Sequence, residues 1–280
     1  MSTKVKIAVD AMSGDNSPRK IIDGIKISLD TNKENYFFLY GDEKLLKDEV
    51  KRNSSIANHC EIINAEDVIK DDESPLNAAK KGKQSSMWKA IESQKEYKSD
   101  ISLSAGNTGA LLVMSRLILN TIDGINKPAL AALWPNEKDM NVVLDLGANV
   151  ECNEKNLLDF ASMGSALFKS LFNNQNPKIA LLNIGLEEHK GNDVLKKTFS
   201  ILKKNKINNF EFSGYIEGNQ IMDGNIDVII TDGFTGNVAL KTAEGTANFI
   251  TSELKKALSS NILGKLSSLL NIKNLTCPVK

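Results

Sequence analysis

Four segments of the sequence combine glycine with short polar side chains, each between an apolar run and a helical pattern. They are residues 104–109, 145–149, 183–193 and 232–237. Glycine lets a ligand approach the backbone closely, and the helix that follows offers unpaired N–H groups and a partial positive charge. Each segment therefore has the composition of a phosphate-binding loop, although Gly-Asn and Asp-Gly pairs are also ordinary turn residues.

The motifs that bind larger phosphate ligands do not follow any strand pattern here. Neither GxGxxG nor GxxxxGK[ST] occurs in that context, which argues against a dinucleotide or a nucleoside triphosphate. Lys190 is the one cation set inside such a loop, where it could neutralise a small anion, although a solvated loop lysine is the commoner case. We interpret His189 as structural or exposed rather than as a general base.

The elements that must position these loops follow an alternating pattern. Apolar runs alternate with helical patterns of about 12 to 18 residues, which predicts repeated βαβ units and a parallel sheet. Ligands of such sheets bind outside the carboxyl ends of the strands, so we expect the four loops to meet there. Residues 109–119 are apolar nearly all round and predict a buried helix. The predicted strands are 5–10, 36–40, 61–64, 101–104, 129–134, 141–145, 178–183, 210–213 and 227–231.

Composition restricts the function classes. The 280 residues are 41% hydrophobic and 25% charged, as in soluble globular proteins, and we expect one domain over 1–280. Lys plus Arg and Asp plus Glu are both 35, which argues against a nucleic-acid partner. Without a signal peptide or a long apolar run, we expect a cytoplasmic protein. Two histidines and the scattered Cys60, Cys152 and Cys277 favour neither a metal site nor disulfides.

Further motifs surround the loops in a fixed order. They are IAVDAM at 7–12, Gly14-Asp15, Ser85-Ser86-Met87, LDLGAN at 144–149, Met163-Gly164-Ser165, Lys190-Gly191-Asn192-Asp193 and DGFTGN at 232–237. In number, order and spacing they resemble the phosphate acyltransferase family of bacterial glycerolipid synthesis, from the first strand to about residue 250. Two differences stand out. The family usually has glycine at the position of Ser13, and it continues past the position of Lys280 with a glycine-rich Pro-Leu-Leu-Gly-like segment, whose absence we expect to lower stability and activity.

The resemblance implies both a fold and an activity. The fold would be a Rossmann-like three-layer α/β/α sandwich with a mainly parallel sheet, similar to isocitrate dehydrogenase and phosphotransacetylase, in a homodimer without an organic cofactor. The reaction would be reversible transfer of a fatty acyl group from acyl carrier protein to inorganic phosphate, which makes acyl-phosphate for glycerophospholipid synthesis. Two alternatives stay open: a short-chain enzyme that uses acyl-CoA, and an inactive scaffold that recruits acyl carrier protein.

The same resemblance assigns roles to the loop residues. The family's catalytic, phosphate-handling lysine and asparagine fall on Lys190 and Asn237. Direct attack by phosphate on the thioester needs groups that bind the dianion and groups that stabilise the oxyanion. We predict that Asn237 and Gly236 lie nearest the oxyanion. The predicted phosphate-binding residues are Gly106, Asn107, Thr108, Gly109 and Gly236, and the supporting ones are Asp10, Asp145, Asn149, Asn192 and Asp232.

Residues 250–272 form a predicted amphipathic helical segment. Apolar residues recur there at three- and four-residue spacing with lysines beside them, a pattern typical of interfacial helices. We predict a contact surface for the inner face of the membrane, near a downstream membrane glycerol-3-phosphate acyltransferase, or for a second subunit; packing on its own domain is the alternative. The apolar residues are Ile250, Leu254, Ala257, Leu258, Ile262, Leu266, Leu269 and Leu270.

Overall fold

In the computed structural model, which describes residues 4–204 and 209–259, the chain divides into two units, Met1–Pro128 and Ala129–Lys280. Each unit has its own sheet and its own hydrophobic core. The expectation of one domain over 1–280 stays a prediction.

The first unit is built on four parallel strands, in the order β3-β2-β1-β4. Because side chains alternate along a strand, Ile7 and Val9 of β1 pack under α1 and α2, while Ala8 packs under α4 on the opposite face. The sheet is thus covered by helices on both faces. The elements are β1 Lys6–Asp10, α1 Arg19–Thr31, β2 Tyr36–Gly41, α2 Glu43–Arg52, β3 Cys60–Asn64, α3 Pro75–Lys81, α4 Ser86–Lys95, β4 Ile101–Leu103 and α5 Thr108–Leu119.

The second unit has five strands in the order β5-β6-β9-β7-β8, of which β5 alone is antiparallel to its neighbour. Helices α6 and α7 cover one face, and the start of α8 contributes Leu240 and Ala243 to the core on the other. The elements are β5 Ala131–Pro135, β6 Met140–Leu144, α6 Glu154–Leu171, β7 Lys178–Leu182, α7 Asp193–Lys204, β8 Glu211–Ile216, β9 Val228–Ile230 and α8 Gly233–Ser259.

The predicted fold class is confirmed, since the sheets are dominated by parallel strands and lie between helices. Each of the nine predicted strands overlaps an observed one. The prediction for residues 109–119 is wrong in part. Helix α5 forms there, but it buries only the stripe of Ala110, Met114 and Ile118 against α3 and α4, and it leaves Leu117 exposed.

Helix α8 carries exposed apolar residues in its last turns. Phe249, Ile250 and Leu254 are all largely accessible to solvent. Part of the predicted amphipathic segment, residues 260–272, lies outside the described residues. This part includes Ile262, Leu266, Leu269 and Leu270. Among the described helices, none combines the length and the apolar character that crossing a membrane requires.

Candidate functional site

Three of the four glycine-containing loops lie at one edge of the second unit's sheet. Strands β6, β9 and β7 are parallel neighbours, with Leu144 and Leu181 both in register with Ile230. The loops that follow these strands therefore start side by side. The Asp145 N–H donates to the Thr231 carbonyl at 3.0 Å, and the Thr231 N–H donates to the Leu144 carbonyl at 2.8 Å, which joins the first two loops.

A fully buried carboxylate organises the first of these loops. Asp145 Oδ1 accepts hydrogen bonds from the backbone N–H groups of Leu130, Gly147 and Ala148, at 2.9 to 3.1 Å. Its Oδ2 accepts from both the backbone and the side-chain amide of Asn149, each at 2.8 Å. Asp145 and Asn149, predicted as supporting residues, thus shape the loop and are turned toward each other.

Helix α8 begins in direct contact with this loop. A Cβ atom added at Gly236 would overlap the Asp145 carbonyl oxygen, and one added at Gly233 would lie 2.6 Å from the Asn149 carbonyl oxygen. Asp232 caps the helix by accepting from the N–H and the hydroxyl group of Thr235, each at 2.8 Å. These glycines are therefore needed for packing between helix and loop.

Asn237 lies beside the Asp145 loop as a result. Gly147 has a φ of +135°, and a Cβ added there would lie 3.5 Å from Asn237 Cβ. Asn237 is itself exposed. The contact places an amide side chain, which can donate hydrogen bonds, next to the backbone that follows β6.

The third loop carries Lys190 and is held by Asn183. The buried Asn183 side chain donates to the carbonyl oxygens of Gly185 at 3.1 Å and Lys190 at 3.3 Å. Gly191 has a φ of +88°, and a Cβ there would lie 2.5 Å from Asn183 Oδ1. Asn192 then caps α7 by accepting from the Leu195 N–H at 2.9 Å. The loop geometry therefore depends on Asn183.

The Lys190 side chain is exposed, and its stem lies over Gly185. Within residues 4–204 and 209–259, no carboxylate forms an ion pair with its ammonium group. His189 beside it is exposed too. The charge of Lys190 is thus available to an anion.

The fourth loop, 104–109, belongs to the first unit. Ser104 Oγ donates to the buried Asp10 carboxylate at 2.7 Å and accepts from the Gly106 N–H at 3.1 Å. Asn107 caps α5 by accepting from the Ala110 N–H, and its amide donates to the carbonyl oxygens of Asp71 and Glu73 at 3.0 and 2.8 Å. The Asn107 side chain is therefore used within this unit.

The glycines of this fourth loop also serve close packing. A Cβ added at Gly106 would lie 2.7 Å from Ser13 Cβ, and one at Gly109 would lie 2.7 Å from Pro75 Cγ. Because the Asn107 amide is occupied, the first-turn backbone N–H groups, including those of Thr108 and Gly109, are what the loop could offer an anion. Their phosphate-binding role stays a prediction.

Two of these structural residues have no role in the sequence-based prediction. Asn183 and Ser104 each follow a strand directly and hydrogen-bond to the loop or strand beside it. Their position, an Asn or Ser between an apolar run and a glycine, is the only signal in the sequence that could have pointed to them.

A cavity of about 430 Å³ lies beside the loops of the second unit. Its lining includes two carboxylates and no lysine, arginine or histidine. Across the described part of the chain, no group of three or more His, Cys, Asp or Glu residues could hold a metal ion. The cavity is lined by Val150, Glu151, Cys152, Leu157, Asn192, Val194, Leu195, Asp232, Phe234 and Thr235.

Sequence comparisons connect this chain to named relatives. Residues 5–278 match the family model described as "Fatty acid synthesis protein". A phosphate acyltransferase of Pelagibacter ubique is 59% identical over 275 residues, which cover 98% of this chain and 82% of the relative. One of Maricaulis maris is 41% identical over 264 residues, which cover 94% and 75% of the two chains.

Comparisons of structure agree on the fold. A phosphotransacetylase of Streptococcus pyogenes aligns with a TM-score of 0.63 at 15% identity, covering 87% of this chain and 82% of its own. The EutD phosphotransacetylase of Staphylococcus aureus aligns with a TM-score of 0.59 at 16% identity, covering 88% of this chain and 83% of its own. At these identities the likeness concerns the fold alone.

Proposed function

Since the chain belongs to the bacterial phosphate acyltransferase family, we propose that it transfers a fatty acyl group from acyl carrier protein to inorganic phosphate. The names of the relatives support an acyltransferase that acts on phosphate. The carrier-protein donor, the acyl-phosphate product and the use of that product in glycerophospholipid synthesis are our proposal.

One observation carries the proposal: an exposed lysine lies in a strand-end loop at the same sheet edge as Asn237 and the start of α8, and no carboxylate of the described residues pairs with it. A dianion needs a positive charge, and an acyl transfer needs a hydrogen-bond donor for the oxyanion. Lys190 supplies the first and Asn237 the second. We propose separately that the backbone N–H groups of residues 107–109 in the first unit bind phosphate.

In the proposed reaction a phosphate oxygen attacks the thioester carbonyl carbon. A C–O bond forms, the carbonyl π electrons move to oxygen as a tetrahedral oxyanion, and the C–S bond then breaks as the carbonyl returns. The phosphopantetheine leaves as a thiolate and takes a proton from solvent. No covalent enzyme intermediate is required. Asp145, Asn149, Asn192 and Asp232 position the loops, and Asp10 does so in the first unit.

We expect Lys190→Ala to raise the KM for phosphate about 10- to 100-fold, because a hydrogen bond to a charged group contributes roughly 1.5 to 3 kcal/mol. Initial rates at varied phosphate measure the change. Lys196→Ala is the matched control, because Lys196 lies on the helix that follows and its contact to Asp193 is long, at 3.9 Å. Equal KM values for the Lys190 and Lys196 variants would remove Lys190 from the anion site.

Asn237→Ala should instead lower kcat about 100-fold, since loss of one oxyanion donor costs on the order of 3 kcal/mol. Rates at saturating phosphate and donor measure this effect. Asn225→Ala, which removes an exposed amide elsewhere in the unit, should leave kcat unchanged. If Asn237→Ala changes only the KM for phosphate, then Asn237 belongs to the anion site and the proposed division of roles is incorrect.

We further propose a cytoplasmic homodimer that contacts the inner membrane surface through the end of α8, close to a downstream membrane glycerol-3-phosphate acyltransferase. The support is exposed Ile250 and Leu254 beside Lys255 and Lys256, since apolar burial and attraction to anionic lipid add together. We expect Leu254→Glu to reduce sedimentation with anionic liposomes.

The matched control for the membrane proposal is Leu45→Glu, because Leu45 on α2 and Leu254 are both 48% exposed. Its sedimentation should equal that of the parent chain. Undiminished sedimentation of Leu254→Glu would refute membrane contact at this position. A shift of that variant to smaller size on gel filtration, with liposome binding intact, would assign Leu254 to the subunit contact instead.

A further inference from the structure

The cavity of the second unit has an apolar inner wall and an apolar rim. Leu157 and Leu195 are buried in the wall. Val150 and Phe234 also line the cavity, although they are 66% and 63% exposed. A volume of about 430 Å³ falls within the roughly 300–1,000 Å³ typical of small-molecule sites. The cavity is therefore large enough for part of a substrate and offers it apolar contacts.

The charged residues of the cavity lining do not favour phosphate as its occupant. Glu151 and Asp232 are the charged residues of the lining, and both are acidic. This lining offers a phosphate dianion no cationic side chain, whereas an uncharged hydrocarbon chain needs none. The cavity thus favours the neutral, apolar part of a substrate over its anionic part.

The cavity is continuous with the loops of the proposed reaction. Asn192 lines it and follows Lys190 by two residues, while Thr235 lines it and precedes Asn237 by two residues. A substrate whose carbonyl lies beside Asn237 therefore has this cavity within reach. The apolar surface also continues outward, because Val238 is exposed and lies one helical turn after Phe234 on the same face of α8.

We propose that this cavity binds the first carbons of the donor's acyl chain, and that Phe234 and Val150 determine the enzyme's preference for long over short chains. The inference rests on the proposed function and adds to it the location of the apolar half of the substrate. A longer chain continues from the cavity along Phe234 and Val238. A short chain reaches fewer of these contacts, so it depends on them less.

The test compares kcat/KM for palmitoyl- and butyryl-acyl carrier protein in the parent and in Phe234→Ala. In Phe234→Ala the ratio of kcat/KM for palmitoyl to kcat/KM for butyryl should fall about tenfold. Loss of the apolar contacts of one or two methylene groups changes specificity by that order. Val150→Asp, at an equally exposed position, should reduce the preference as well. Phe249→Ala is the matched control: Phe249 lies on the same helix, is 66% exposed and is not part of the cavity lining.

The outcomes separate the two proposals. An active parent whose chain-length preference is the same in Phe234→Ala and Val150→Asp overturns the acyl-chain site and leaves the proposed function intact. An equal loss of preference in Phe249→Ala overturns it too, because the effect would then belong to α8 as a whole. A parent that forms acyl-phosphate from neither donor overturns the proposed function, and this inference with it.

Discussion

The Gly236→Ala variant is expected to have a kcat about 100-fold lower than the parent chain, because a displacement of reacting groups by about 1 Å lowers the reaction rate by that order. The added methyl group would overlap the Asp145 carbonyl oxygen and would also lie 2.9 Å from Thr231 Cγ2. Since a backbone carbonyl cannot rotate away, α8 must shift, and Asn237 must shift with it. Overpacking of this kind should also lower the free energy of unfolding by about 1 to 3 kcal/mol.

Gly245→Ala provides the matched control for this prediction. Gly245 lies on the same helix, and a Cβ added there meets no atom within 4 Å. Alanine at that position should keep full turnover and stabilise the helix by up to about 1 kcal/mol. Thermal or urea unfolding together with initial rates measures both variants. If Gly236→Ala behaves like Gly245→Ala, the contact between α8 and the Asp145 loop does not position Asn237.

Asp145→Asn should lower kcat about 100-fold and the free energy of unfolding by roughly 3 kcal/mol. The side chain is fully buried, and each of its oxygens faces N–H donors of the loop. An asparagine has nearly the same shape, but its NH₂ group would meet an N–H group instead of accepting from it. The loop would then open beside Gly147 and lose its contact with Asn237.

The control for Asp145→Asn is Asp139→Asn, at an exposed turn of the same unit. This substitution removes the same negative charge, but it does so at an exposed side chain and not at a buried hydrogen-bond acceptor. The free energy of unfolding should therefore stay within about 0.5 kcal/mol of that of the parent chain. An Asp145→Asn variant that is as stable and as active as Asp139→Asn would contradict the role of the carboxylate in shaping the loop.

The alternation of apolar runs and helical patterns was enough to predict the sheets. Strands β1, β6, β7 and β9 are short runs of mainly buried apolar residues, so their positions follow from local sequence. Burial of α5 could not be predicted in the same way. Leu117 and Met114 are equally apolar, and only the position of α3 and α4 determines which of them is covered.

The packing role of the glycines could not be predicted from the motifs. Gly236 was predicted to bind phosphate because glycine allows a ligand to approach the backbone. In the structure, the absence of a side chain at Gly236 makes room for the Asp145 carbonyl oxygen instead. Gly106 similarly makes room for Ser13. Glycine is required both where a ligand approaches the backbone and where another loop does. The spacing of a motif therefore cannot distinguish a ligand-binding glycine from a packing glycine. Asn183 was missed for a related reason, because its hydrogen-bond partners are set by the loop conformation.

The central claim, transfer of an acyl group from a carrier-protein thioester to phosphate, is tested most directly by following both products of one reaction. Palmitoyl-acyl carrier protein is mixed with the chain in the presence and absence of inorganic phosphate; free carrier thiol is titrated and acyl-phosphate is detected by phosphorus NMR. We predict that thiol and acyl-phosphate appear in equal amounts and only with phosphate present. Thiol release that does not depend on phosphate, transfer from acyl-CoA but not from the carrier protein, or carrier-protein binding without release of either product would contradict the claim.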